Sequence, residues 1–206
     1  MTTQEKLDLY KENKKEYVAT AKPALVDVRP AVYLSISGKG APGGGAFTDA
    51  IGALYGMAFT IKMTRKFAGK RDYAVSKLEA RWPDINCGGG PTDKEQWIWE
   101  LMIRTPPFVT QKDLSQAVET LKKRGKGDGA GRVELRSLSE AQCVQALHVG
   151  PYEKEPETMA KICALVDKEG LRAAGPLHEI YLNDPRRVAA AKLKTILRQP
   201  VSKGPG

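Results

Sequence analysis

The chain carries a degenerate internal repeat, and a repeat constrains architecture before any single residue does. "YLSISGKGAP" (33–42) matches "CVQALHVGPY" (143–152) at an offset of 110, each an alternating run that closes on a glycine, Gly40 or Gly150. A helical stretch follows each glycine. In "FTDAIGALYGMAFTIK", Phe47, Ile51, Leu54, Ala58 and Ile61 recur at helical spacing, with Thr48 and Asp49 near the N-terminal end. In "EPETMAKICALVDKEG", Pro156 and Glu157 suit a first turn, Met159, Ile162, Cys163 and Val166 share one stripe, and Gly170 supplies a stop. Next, "LEARWPD" (78–84) aligns with "HEIYLND" (178–184) at an offset of 100, setting Glu79 against Glu179. "LMIRTP" (101–106) aligns with "TILRQP" (195–200) at an offset of 94, setting Arg104 against Arg198. Each half therefore reads strand, helix, strand, strand.

A further strand precedes each repeat, "ALVDVRP" (24–30) and "RVELRSLS" (132–139). The expected organisation is a helical extension over 1–22, a first βαββ module over 23–110, a connecting helix and linker over 111–131, and a second module over 132–202. Leu7, Tyr10 and Tyr17 are available to pack the extension, Leu114, Ala117, Val118 and Leu121 form the connecting stripe, and 201–206 read as a loose tail. The two modules together make one domain of about 23–202. The predicted class is α+β: two pseudo-symmetric βαββ modules form one antiparallel sheet, with both helices on one face and a concave ligand cleft on the other.

Composition excludes several functions. With 41% apolar and 28% charged residues the chain suits a soluble fold, and its longest apolar runs are far short of a membrane span, so no membrane partner is expected. The N-terminal twenty residues are charged and lack the apolar core of a secretory signal, which predicts a cytoplasmic protein. Cys87, Cys143 and Cys163 form no CxxC, and with only His148 and His178 no metal-ligand spacing arises. Neither a disulfide scaffold, a zinc site nor a cofactor is expected. The net charge of +9 admits nucleic acid as a partner, but "KENKK" and "KKRGK" are scattered and not interleaved with aromatics, so they read as solvated faces or linker.

Candidate site residues follow from strand alternation. In "HEIYL", His178, Ile180 and Leu182 point one way and Glu179 and Tyr181 the other. With Ile180 and Leu182 against the helices, Glu179 and Tyr181 face the cleft, and the repeat carries Glu79 there too. Two acids near a pseudo-two-fold axis would converge on one pocket; the plainer reading is a solvated glutamate, with Glu79 paired to Arg81 at the surface. Tyr55, Trp82, Trp97, Trp99, Tyr152 and Tyr181 are candidate walls. Trp99 equally suits the core beneath a helix, and Trp82, aligned with Leu182, leans the same way unless Pro83 bends it out. His148, at a strand-to-helix junction, reads as a capping residue or a ligand contact. A glutamate enclosed by rings has its charged form disfavoured, which makes it a proton acceptor near neutral pH or a seat for a ligand cation.

"KLEARW", "WIWELMIRTPPFV", "CVQALHVGPYEKEP", "HEIYLNDPRR" and "LKTILRQPV" occur in this order over residues 24–202. By these motifs the chain resembles the GyrI-like small-molecule-binding proteins of the stand-alone branch, which lacks a DNA-binding segment. The resemblance implies two SHS2-type βαββ modules and a deep pocket between them for amphipathic, often cationic or aromatic, molecules. Glu179 matches the buried glutamate that meets the ligand cation in multidrug-sensing members, with Tyr55, Trp82, Trp99, Tyr152 and His148 as ligand contacts. Likeness to members that hydrolyse cyclopropane-bearing DNA-alkylating compounds implies a hydrolase. Glu179, assisted by Glu79, would deprotonate a water that attacks the less hindered ring carbon, while Tyr181 or Tyr152 donates to the dienone oxygen. The alternative is a non-catalytic multidrug-binding module, and a third reading is a domain that docks an acidic protein. Two departures bear on substrate choice: "LEARW" stands where relatives often carry a glycine before the aromatic, and a single histidine precedes Glu179 where many have two.

Overall fold

The computed structural model describes residues 6–204. Residues 1–5 of the expected N-terminal helix and 205–206 of the expected tail lie outside them. Two helical turns, α1 (Leu9–Glu12) and α2 (Lys14–Tyr17), lead into β1 (Ala24–Val28), β2 (Ala31–Lys39) and α3 (Gly45–Phe67). Then come β3 (Leu78–Trp82), β4 (Ile98–Thr105), α4 (Gln111–Lys123), β5 (Glu134–Leu138), β6 (Ala141–Val149) and α5 (Glu155–Lys168). The chain ends with β7 (Leu171–Ala173), β8 (Leu177–Tyr181) and β9 (Lys194–Lys203). The strands lie in the order β1-β6-β9-β8-β3-β4-β2-β5, with β7 on β9, and the pairings are antiparallel. The α+β class and the repeated strand-helix-strand-strand unit are as the sequence predicts. Gly40 and Gly150, which close β2 and β6, have φ of 120° and 139°, a region that side chains with a Cβ rarely enter.

The halves meet at β3 and β8 in the middle of the sheet, but they are not self-contained. β1, which leads into the first repeat, pairs with β6 of the second; β5, which leads into the second, pairs with β2 of the first. Each half borrows its edge strand from the other.

Helices α3 and α5 pack on one face, over Leu34, Ile36, Ala80, Leu101, Ile103, Val144, Ala146 and Leu197. α4 lies beside α3 and starts with a capping box, Thr110 accepting from the Asp113 backbone and Asp113 from that of Thr110. Trp99 is nearly inaccessible and lies over Gly38, where an added Cβ would sit 2.1 Å from the indole ring. Replacing Gly38 by valine is expected to cost about 1–3 kcal/mol through overpacking, read as a lower urea midpoint.

The opposite face is not the open cleft expected above. Residues 6–22 cross it, and they form two turns broken at Asn13 rather than one helix, with Asp8 capping the first through the Tyr10 and Lys11 amides. Tyr10 and Tyr17 stack at 3.8 Å, and Tyr17 packs on Ile180 and Ile196. Beneath them lies a buried charge network. The Tyr10 and Tyr17 hydroxyls donate to Glu79 Oε1, both at 3.2 Å. His178 is fully enclosed, its Nε2 3.0 Å from Glu79 Oε2 and its Nδ1 3.0 Å from Glu140 Oε2. Arg198 Nε donates to Gln145 Oε1 at 3.0 Å, and Arg104 Nη1 donates to Glu16 Oε2 at 2.6 Å and to the Tyr17 hydroxyl at 2.9 Å. Burial alone would lower the His178 pKa, but Glu140 and Glu79 outweigh it and raise the pKa, which favours the imidazolium, the form able to donate from both nitrogens to the two carboxylates. Burial would raise Glu140, yet His178 and Arg198 hold it down at about 2.

Two more expectations are corrected. Residues 201–203 are not a tail: they continue β9 and pair with β7. Cys87, in the β3–β4 connection, is disulfide-bonded to Cys163 of α5, with Cα atoms 5.4 Å apart; Cys143 is free and buried. No spacing rule foretells a bridge between positions 76 residues apart that only the fold brings together.

Candidate functional site

Strand register decides which acid goes where. In the central β3–β8 pair, Ala80 lies opposite Glu179 and Glu79 opposite Ile180. Pseudo-equivalent residues at the centre are therefore 99 apart, Ala80 with Glu179, and not the 100 that aligning the two glutamates requires. A slip of one residue exchanges the faces of every side chain on a strand. Glu79 accordingly corresponds to His178 and joins the charge network under the N-terminal segment, while Glu179 and Tyr181 point to the helix-bearing side. The expected convergence of Glu79 and Glu179 on one cleft is corrected: they lie on opposite faces of the sheet.

On the helix-bearing side Glu179 meets a different acid. Gly150 ends β6, a single 3₁₀ turn (Tyr152–Lys154) follows, and Glu155 opens α5. Tyr152 and Glu155, three residues apart around that turn, both reach the end of β8. The Glu155 carboxyl is buried against Glu179 and near Thr195 of β9, and its Oε1 has no hydrogen-bond partner among the described residues. The pairings also correct the β4–β9 alignment from an offset of 94 to 96, so Thr195 corresponds to Trp99 rather than Leu101, and Arg198 to Met102 rather than Arg104. Burial, followed by the charge of Glu179, pushes the Glu155 pKa upward; burial raises that of Glu179 as well. The Tyr181 hydroxyl donates to Glu179 Oε2 at 2.7 Å, which favours the ionised form of Glu179 over that of Glu155.

Aromatic rings close round this pair. Tyr152 packs edge-on against Tyr181, centroids 6.0 Å apart, and its hydroxyl is pushed up to about 12 by burial and by the Glu155 and Glu179 charges. Trp82, at the end of β3, is held between Phe47 (6.1 Å) and Trp97 (5.4 Å). Its indole N–H is turned toward Glu179 closely enough to favour the carboxylate, yet falls short of hydrogen-bond geometry, leaving a buried donor without a partner among the described residues.

The remaining candidates divide. Tyr55 of α3 borders the Asp184–Arg186 loop, whose Asp184 also raises the Tyr152 pKa, so Tyr55 stands at the rim of the site. Trp99 belongs to the core against Gly38 and Phe47. His148 is buried and bonded on both sides: Nε2 donates to the Pro151 carbonyl at 3.1 Å and Nδ1 meets Thr158 Oγ1 at 2.9 Å. It pins the turn that delivers Tyr152 and Glu155 and has no nitrogen left for a ligand. Sequence reasoning missed Glu155, although its spacing from Tyr152 in "GPYEKEPE" was the available signal.

The same fold recurs in solved proteins. A family model described as the GyrI-like small molecule binding domain matches residues 100–202. An uncharacterized conserved protein from Listeria innocua is 39% identical, with 96% of this chain and 100% of that one covered and a TM-score of 0.88. This chain belongs to the GyrI-like family. Two further Listeria innocua structures, each described as a hydrolase, match this GyrI-like chain at 37% and 36% identity, over 96% of it and 100% of their own length, with TM-scores of 0.86 and 0.87. No curated protein matches it. The GyrI-like assignment makes a small molecule the class of partner, and among the described residues no helix is long and apolar enough to cross a membrane.

Proposed function

We propose that the protein binds hydrophobic, aromatic electrophiles bearing a strained three-membered ring, of the cyclopropanoid type, and opens the ring with water. The observation that carries this reading is the buried Glu155–Glu179 pair, walled by Tyr152, Tyr181 and Trp82. Two facing carboxyls in a dry setting share one proton, since both cannot ionise. Glu179, supported by the Tyr181 hydroxyl, is the carboxylate, and Glu155 is the acid. As a water oxygen bonds to the less hindered ring carbon, Glu179 takes the water proton. The ring C–C bond breaks and its electron pair passes through the conjugated system to the dienone oxygen. Glu155 supplies the proton that makes this oxygen a phenol, so one water is added and the pair again holds one proton. The partnerless Trp82 N–H is placed to donate to the same oxygen as charge develops. The family assignment and the two hydrolase relatives support this reading.

Incubation of the pure protein with a cyclopropanoid alkylator should give product heavier by one water, with the protein recovered unmodified, by mass spectrometry. Absence of both product and binding would sink the reading. The pH profile provides a second check. Because the Glu179 pKa is raised, its ionised fraction falls sooner on acidification, so the acid limb of kcat/KM should lie above the ordinary glutamate value of about 4.3.

One observation favours a second reading. A pair holding one net negative charge beside the faces and edges of tyrosine rings also suits an amphipathic cation. Tight binding of such a cation with no turnover of any electrophile would make the protein a sequestering module.

A further inference from the structure

Helix α3 presents to solvent an apolar stripe that packing among the described residues does not explain. Gly52, Gly56, Phe59, Met63 and Phe67 fall along its outward side, away from the sheet. Phe59 is 51% and Phe67 80% exposed, with Met63 between them. Gly52 and Gly56 are interior helix positions, where glycine is the most destabilising residue after proline. A Cβ at either would meet no atom within 4 Å, so no close approach among the described residues requires them. The helix is thus flat along one turn and bulky along another, and each pair, Gly52–Gly56 and Met63–Phe67, has the same one-turn spacing.

We infer that α3 is an isologous dimer interface, occupied by α3 of a second copy running antiparallel about a two-fold axis near Phe59. In that arrangement Met63 and Phe67 of each copy lie over Gly56 and Gly52 of the other, and the two Phe59 rings meet at the axis. Self-complementarity is what a two-fold contact demands. Charge points to the same occupant. Asp49 is exposed near the N-terminal end of α3, and in this register it lies opposite the exposed Lys70 just past the C-terminal end and about one turn from the exposed Lys66, so the antiparallel pairing brings the acid of one copy close to bases of the other at both ends. The face is one helix wide, smaller than a standard interface, so the association is weak and depends on concentration.

The test uses a substitution that the monomer accepts. Gly56→Leu places a better helix former in open space, so the melting temperature should not fall, while a bulky side chain at the contact should weaken self-association at least tenfold. Phe67→Ser should weaken it as well. Sedimentation velocity from low to high micromolar protein reads both. A wild type that stays monomeric throughout, or a Gly56→Leu variant that associates as well as wild type, overturns the proposal. So does Phe67-dependent binding to vesicles of anionic phospholipid by a protein that remains monomeric, since the stripe would then be a membrane contact.

Discussion

Glu179→Gln should lower turnover of a cyclopropanoid electrophile by about 10²–10⁴-fold while leaving the fold intact and the ligand bound. Glutamine keeps the shape and the acceptor for the Tyr181 hydroxyl, which lies 2.7 Å from Glu179 Oε2, but cannot take a proton from water. Glu155→Gln should also slow the reaction, because it removes the acid that completes the phenol. Its amide is neutral, as the protonated Glu155 is, and can still donate to Glu179, so the Glu179 pKa, raised by burial, stays above the ordinary range. The acid limb of the pH profile should therefore keep its place in Glu155→Gln while the rate falls, whereas general damage that let water into the site would move it down toward the ordinary glutamate value. Glu79→Gln serves as the contrast: it lies on the other face of the sheet and should change stability without a comparable loss of kcat. If it abolished turnover as thoroughly as Glu179→Gln, the assignment of the chemistry to the helix-bearing side would be wrong.

His178→Leu is expected to destabilise the protein by about 3–5 kcal/mol, because it removes the cation that lies between two buried carboxylates. Glu79 would keep only the hydroxyls of Tyr10 and Tyr17, and Glu140 only Arg198. For a chain of this length such a loss lowers the melting temperature by roughly 10 °C or more. The pH dependence has a definite sign. The folded His178 pKa is raised above its unfolded value, so the stabilisation from its charge is complete below the unfolded value, about 6.5, and is lost as pH rises through the folded one. Glu140 acts in the opposite direction: held at about 2 when folded, it contributes above its unfolded pKa and loses that contribution as pH falls toward 2. Chemical unfolding followed from acid to alkaline pH should show an alkaline decline in the wild type that His178→Leu lacks. A variant with unchanged stability and the same alkaline decline would show that the histidine is not the cation of this network.

The register error at the centre of the sheet has an instructive origin. Alternation identifies the inner face of a strand only when the other face is wet. Here Ile180 is buried by Tyr17 and Ile196 on one side, and Glu179 is buried by rings on the other, so both faces of β8 are covered and the pattern "HEIYL" does not favour either. The identity of the two glutamates in "LEARW" and "HEIYL" then drew the alignment one residue out of step. Trp99 was ambiguous for a related reason: a large ring at a strand position packs equally well under a helix or beside a ligand, and its contact with Gly38 across two strands decides the matter.

Local and periodic features were legible in the amino-acid order: the repeated strand-helix-strand-strand unit, the glycines that close β2 and β6, the α3, α4 and α5 stripes, and Tyr152 delivered by the turn after Gly150. These follow from side-chain period and backbone sterics, which act over a few residues. The exchange of β1 and β5 between halves, the N-terminal segment laid over the second face, the Cys87–Cys163 bridge and the pairing of Glu155 with Glu179 arose only in three dimensions. Each depends on contacts between distant segments, where a shift of one residue along a strand costs nothing locally yet moves a carboxylate from one side of the sheet to the other.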